Sequence, residues 1–296
     1  MIENIDKNNE LKNDIEKTRK QYAMDFSVFY KFKCEEIDNL SVLKWAPHNP
    51  PNITINSYIK LAGQFFYALL NAFYQLVECY AYSIAAEKIV QSHFKIKNTG
   101  YATTWKYDFR NYHFYMFIPR FYNIIDYSAF LINELSNPEL LVKDNKNGEP
   151  KQVDYESVKM SLNKVIKDGR ARGSLSVNDL SICCDALDGF FENITDHGKQ
   201  IIKRYRDIIT HRYLPGIDCI MTDIERTSSK TRIRPDHGRL FSIADDTVSY
   251  QYYGVPEFKF EELQPLAKLL ILSADKSLNK IYFIEPVKKA FTEIIC

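Results

Sequence analysis

From Leu61 to Ala86 the chain carries apolar and aromatic side chains almost without interruption, and the exceptions are spaced like one stripe of a helix. Gln64, Asn71, Gln75 and Glu78 follow one another at seven, four and three residues, spacings that bring side chains to the same side of an α-helix. A strand turns its face every second residue and cannot gather these four together. The stretch is long enough to be weighed as a membrane span. Its stripe of amides with a carboxylate is costly in lipid, but it suits the edge of a core helix in a water-soluble bundle. The pattern predicts a helix from about Thr54 or Ser57 to His93 and no membrane association.

Composition extends the helical reading to the rest of the chain. Only 10 Gly and 11 Pro among 296 residues leave few positions for tight turns, which disfavours a many-stranded barrel. The net charge of +1 gives no global field that would announce a nucleic acid or a membrane surface, so any RNA contact must be a local patch. Cys34, Cys79, Cys183, Cys184, Cys219 and Cys296 form no C-x-x-C pair. They read as free, buried thiols in a reducing compartment. The first residues lack a basic stretch followed by an apolar run, so the protein is expected in the cytoplasm.

Punctuation divides the chain. Residues 1–51 read as an N-terminal helical extension and linker, ending in Trp45-Ala46-Pro47-His48-Asn49-Pro50-Pro51. Residues 52–296 read as a helical domain. After the first long helix and the interruption at Asn98-Thr99-Gly100, an aromatic-rich helix is predicted over Phe109–Leu135, kinked or broken at Pro119. A shorter one covers Tyr155–Lys167, stopped by Asp168-Gly169. Ser176 then offers an N-cap for a helical stretch reaching Tyr213, with Gly189 and Gly198 as weak points. Between about 217 and 256 the pattern changes to a β-rich insertion. Thr231, Ile233, Val248, Tyr250 and Tyr252 suggest extended segments, with turns at Asp236-His237-Gly238 and Asp245-Asp246. A last helix is predicted over Phe260–Asn279. The expected class is mainly α: an antiparallel helical bundle with a small β-rich excursion.

The chemistry sits at the end of the fourth long helix, in Lys203-Arg204-Tyr205-Arg206-Asp207-Ile208-Ile209-Thr210-His211-Arg212-Tyr213. Histidine is the side chain best matched to proton transfer near neutral pH. Arginine offers a permanent charge and a planar fork for phosphate oxygens. Asp207 precedes His211 by four residues and can hold the imidazole and stabilise its cation. Such a set suits metal-independent cleavage of RNA by its own 2′-oxygen, and no cofactor is implied. An arginine four residues clear of a histidine is by itself a weak signal. Arg232 and His237 repeat that spacing with Pro235 between them, in a stretch that is not helical.

Arg206, the polar Asp207, His211 and the trailing Tyr213, late in a helical bundle, resemble the signature of the HEPN superfamily. Arg204, with six residues before His211, fits the loose form of that signature as well. The resemblance implies an endoribonuclease, by family habit a toxin or phage-defence effector, with Arg206 as phosphate clamp, His211 as general acid or base and Asp207 as its orienter. Arg204 and Arg212 would bind RNA. It also implies a homodimer. On a regular helix Arg206 and His211 lie about 140° apart, so the helix is distorted or two chains combine their groups. In toxin–antitoxin pairs of this superfamily a nucleotidyltransferase partner attaches AMP to the tyrosine at the position of Tyr213. The alternative is a non-catalytic module of the family that binds RNA or a partner protein. Other features carry less. His113 has its nearest arginine, Arg110, at the wrong spacing, and His48, His93, His197 and His237 show no metal-ligand pattern. Lys230, Arg232 and Arg234 alternate like a solvated strand face.

Overall fold

The computed structural model describes residues 2–24, 57–93, 109–136, 153–211, 216–218, 222–226, 248–252 and 258–289, and among them the chain is mainly helical. The helices are α1 (Ile2–Met24), α2 (Ser57–His93), α3 (Asn111–Tyr115), α4 (Phe117–Leu135), α5 (Tyr155–Asp168), α6 (Val177–Gly189), α7 (Asp196–His211) and α8 (Phe260–Tyr282). Two strands, β1 (Thr222–Arg226) and β2 (Val248–Tyr252), pair antiparallel with Thr222 opposite Tyr252. Val248, Tyr250 and Tyr252 thus lie on β2. Thr231, Ile233 and the turns expected at 236–238 and 245–246 fall outside the described residues, as do the linker at 45–51 and the interruption at 98–100.

Local chemistry accounts for the boundaries. Along α2, Phe66, Leu69, Phe73, Leu76 and Val77 are buried, while Gln75 is exposed and Asn71 and Glu78 are half-buried. Asn71, Gln75 and Glu78 are therefore the wetter edge of this helix, and the side chain of Gln64 lies outside those described. Among the described residues no helix is long and apolar enough to cross a membrane. The aromatic-rich helix breaks at Met116, between α3 and α4. Pro119 has no N–H to give the Tyr115 carbonyl, and in the first turn of α4 that N–H would have had no partner inside the helix anyway. Asp154 caps α5, accepting from the Ser157 amide at 2.8 Å, and the Ser157 hydroxyl accepts in return from the Asp154 amide at 3.1 Å. Gly169 closes that helix at φ 64°. Ser176 and Asp179 build the same reciprocal cap on α6.

The helix expected to run from Ser176 to Tyr213 is instead two helices, α6 and α7, parted by a turn at 190–193. Two causes, one local and one distant in sequence, outweigh the continuous pattern. The Thr195 hydroxyl accepts from the Gly198 amide at 3.1 Å and starts a new helix. Gly189 ends α6 so close to α8 that a Cβ there would stand 2.7 Å from the Ser277 hydroxyl oxygen.

The chain forms two compact units, each assembled from three stretches of sequence. The first holds Met1–Arg19, Cys79–Pro119 and Thr195–Lys268. In it Ile15 of α1 packs on Ala85 of α2 among Tyr82, Ile89 and Phe109. Phe114 stacks on Phe117 at 5.5 Å and meets Tyr205 and Phe260 edge-on. The second holds Lys20–Glu78, Arg120–Ile194 and Leu269–Cys296. Its rings gather on Phe121, which touches Phe190 and Phe191 edge-on at 6.2 and 5.6 Å. Polar joints close it: Ser174 donates to the Leu135 carbonyl at 2.7 Å, the Glu285 amide donates to Asp179, and Lys159 pairs with Asp188. Cys183 is buried as a free thiol, and burial pushes its pKa up; the Cys79 and Cys184 thiols are half-buried.

Candidate functional site

The motif lies on α7, in the first unit. This helix buries Ile202, Tyr205 and Ile208 at spacings of three residues, with Ile201 and Ile209 half-buried beside them. Arg204, Arg206 and Asp207 are exposed. His211 is the last residue of the helix. Arg212 and Tyr213 lie outside the described residues. The helix runs to His211 without a π or 3₁₀ interruption. Regular geometry therefore holds over the motif, with Arg206 and His211 about 140° apart and Asp207 about 40° from His211.

Tyr205 is the anchor of this helix. It is fully buried; its hydroxyl donates to the Phe114 carbonyl at 3.5 Å, and its ring meets Phe258 at 5.2 Å. Burial raises its phenol pKa well above the ordinary value, with Tyr115 adding to the effect. Tyr205 is thus held neutral and serves as packing. The ring of Phe258 carries a second group of the motif helix, because the Arg204 guanidinium lies 5.5 Å from its centroid.

Phe258 is in turn fixed by the chain that follows α7. Ile217 forms a parallel bridge with it: the Phe258 amide donates to the Gly216 carbonyl at 3.0 Å, and the Asp218 amide donates to the Phe258 carbonyl at 2.9 Å. Asp218 holds a left-handed backbone, φ 53°, a conformation that costs free energy in a residue other than glycine. Its carboxylate offsets that cost by accepting from the Phe260 amide, at the start of α8, at 3.0 Å. It also faces Arg110 at 2.9 Å.

Arg110 is the centre of a polar cluster that the sequence reading missed. Its side chain is fully buried and donates to Glu87 at 2.6 Å and to the Asn111 side-chain oxygen at 2.9 Å. A longer bond of 3.4 Å reaches the Ile217 carbonyl, which also accepts from Asn111 at 3.0 Å. The guanidinium carbon stands 4.4 Å from the centre of the Phe260 ring. Two carboxylates, an amide, a carbonyl and an aromatic face satisfy a fork whose geometry suits several acceptors at once. The only sequence signal is an Arg-Asn pair inside an aromatic run, and nothing local says that it is buried. His113, passed over on spacing, is a packed ring: it stacks on Tyr82 at 4.6 Å and 13° and meets Phe109 edge-on.

What α7 offers chemically is a row of exposed polar groups on a rigidly seated helix. Neither a family model nor a curated protein nor a solved structure matches this chain.

Proposed function

We propose that the protein is a metal-independent endoribonuclease of HEPN type, acting through Arg206, Asp207 and His211. In the reaction the 2′-hydroxyl of RNA loses its proton and its oxygen bonds to phosphorus. The bond from phosphorus to the 5′-oxygen breaks, and that oxygen takes up a proton. The sum moves one proton from O2′ to O5′ and leaves a 2′,3′-cyclic phosphate, so imidazole acting as base and then as acid balances it. His211 carries the proton, Asp207 orients it, and Arg206 neutralises charge on the phosphate.

The observation that carries the reading is the sequence Arg206-Asp207-x3-His211-x-Tyr213 at the end of a helix whose Arg206 and Asp207 are exposed. The finer architecture belongs to the same proposal: an antiparallel bundle of HEPN type with a β-rich excursion over about 217–256. So does the assembly, since a regular helix turns Arg206 away from His211. A homodimer would bring Arg206 of one chain to His211 of the other across a shared cleft. A toxin or phage-defence effector restrained by a nucleotidyltransferase that modifies Tyr213 is the cellular setting this implies.

The test is cleavage of total RNA in EDTA by the wild-type protein and by His211→Ala. Cleavage leaving 2′,3′-cyclic ends, lowered by roughly 10²–10⁴ in the variant, is expected. Strict dependence on magnesium or manganese overturns the mechanism. Binding without cleavage by the wild type leaves the non-catalytic module as the function.

A further inference from the structure

Phe258 holds the motif helix from two directions. Its ring meets the ring of Tyr205 at 5.2 Å, and the Arg204 guanidinium lies 5.5 Å from its centroid. Its backbone holds the chain that leaves α7: its amide donates to the Gly216 carbonyl at 3.0 Å, and its carbonyl accepts from the Asp218 amide at 2.9 Å. Tyr205 and Gly216 are eleven positions apart, so the stretch from Arg206 to Tyr213 belongs to a loop of chain closed at both ends on one residue. Phe258 is itself buried, and Asp218 ties it to the start of α8 by accepting from the Phe260 amide at 3.0 Å.

We infer that Phe258 is a positioning residue for the cleavage proposed above: it touches no RNA and sets the angle at which α7 presents its exposed side. The inference rests on the ribonuclease reading. Ile202, Tyr205 and Ile208 form the buried line of α7, and a helix seated on one line can rock about it. Neighbouring residues of a helix stand about 100° apart. A ring that touches both Tyr205 and Arg204 therefore sits at the edge of the buried line and blocks rotation toward that side. Side chains reach about 5–6 Å from the helix axis, so a rotation of about 10° moves them by about 1 Å. A displacement of that size can cost on the order of a hundredfold in rate. The bridge from Phe258 to Gly216 and Asp218 stops the same motion at the other end of the loop.

The experiment compares Phe258→Leu with the wild type and with Phe121→Leu, which removes a buried ring from the second unit. Cleavage of a short RNA in EDTA and amide hydrogen exchange along α7 are measured on the full chain. Phe258→Leu should lower kcat roughly ten- to a hundredfold while KM changes by less than about threefold. In the same variant the amides of residues 206–211 should exchange roughly tenfold faster. Phe258→Tyr, which keeps the ring, should stay within about threefold of the wild type in both measurements. Phe121→Leu should alter neither. Exchange along α7 that Phe258→Leu leaves unchanged, or a fall in kcat that Phe121→Leu equals, overturns the inference while leaving the ribonuclease reading intact. A wild type that cleaves no RNA removes that reading and the positioning role with it, whatever the exchange shows.

Discussion

Replacing Arg110 with methionine tests whether the segment after the motif helix is braced by charge. Methionine keeps much of the length and apolar bulk of the side chain and removes every donor. Glu87 and Asp218 would then face each other's charge in a site where their side chains are only 15% and 24% exposed, and the Ile217 carbonyl would keep only its bond from Asn111. Removing one partner of a buried ion pair typically costs about 3–5 kcal/mol. Partial access of water to both carboxylates argues for the lower end, about 3 kcal/mol, roughly a hundredfold in the folding equilibrium. Urea denaturation should show the midpoint falling with an unchanged slope. Adding Asp218→Asn to Arg110→Met should recover part of the loss, because one uncompensated charge is gone and the cap on Phe260 can persist. A loss below about 1 kcal/mol in Arg110→Met, or no recovery in the double variant, would refute the argument that this cluster holds the segment.

Two further outcomes follow from the packing. Gly189→Ala should destabilise by about 1–3 kcal/mol, although alanine is the better helix former, because its Cβ meets the Ser277 hydroxyl at 2.7 Å. Pairing it with Ser277→Ala should relieve the loss in chemical denaturation, and a stabilised single variant would show the approach of α6 and α8 to be looser. His113 has its pKa lowered by burial, with Glu16 opposing. The unfolded chain therefore takes up the proton first, and the neutral ring's contribution is complete above the ordinary histidine value of about 6.5. That contribution is lost as pH falls from there through the lower folded value. Replacing His113 with phenylalanine should flatten stability over that window, and an unchanged pH profile would contradict it.

The helices were legible where one signal dominated. The apolar run of α2, the stop at Gly169, the cap at Ser176 and the proline after Met116 each give a signal within their own stretch of chain, which is the range a sequence reading can reach. The split between α6 and α7 was legible only as a weak point at Gly189, because its causes compete. A continuous apolar pattern favours one helix, and only the Thr195 cap and the contact of Gly189 with Ser277, far along the chain, decide for two. The motif was legible as residue types at a spacing. Its mounting was not, since Phe258 lies 54 positions beyond Arg204 and Arg110 is a residue type that sequence alone assigns to the surface.

The arginines of this unit divide the work by burial. Arg110 meets two carboxylates, an amide and a carbonyl in a closed site, so its charge is largely neutralised locally and does little beyond that cluster. What it does is mechanical. It holds Asp218 in a left-handed turn, Asp218 holds Phe258 through the backbone bridge, and Phe258 supports both Tyr205 and Arg204 on the motif helix. A helix with one buried line can rock about that line unless a group at its side is fixed. Phe258 is that group, and it touches α7 next to its buried anchor. The positions of the exposed Arg204, Arg206 and Asp207 are therefore steadied by a buried charge, Arg110, that acts on them through Phe258. For that reason loss of Arg110 should loosen the seat of Arg204 and destabilise the segment that follows α7 together.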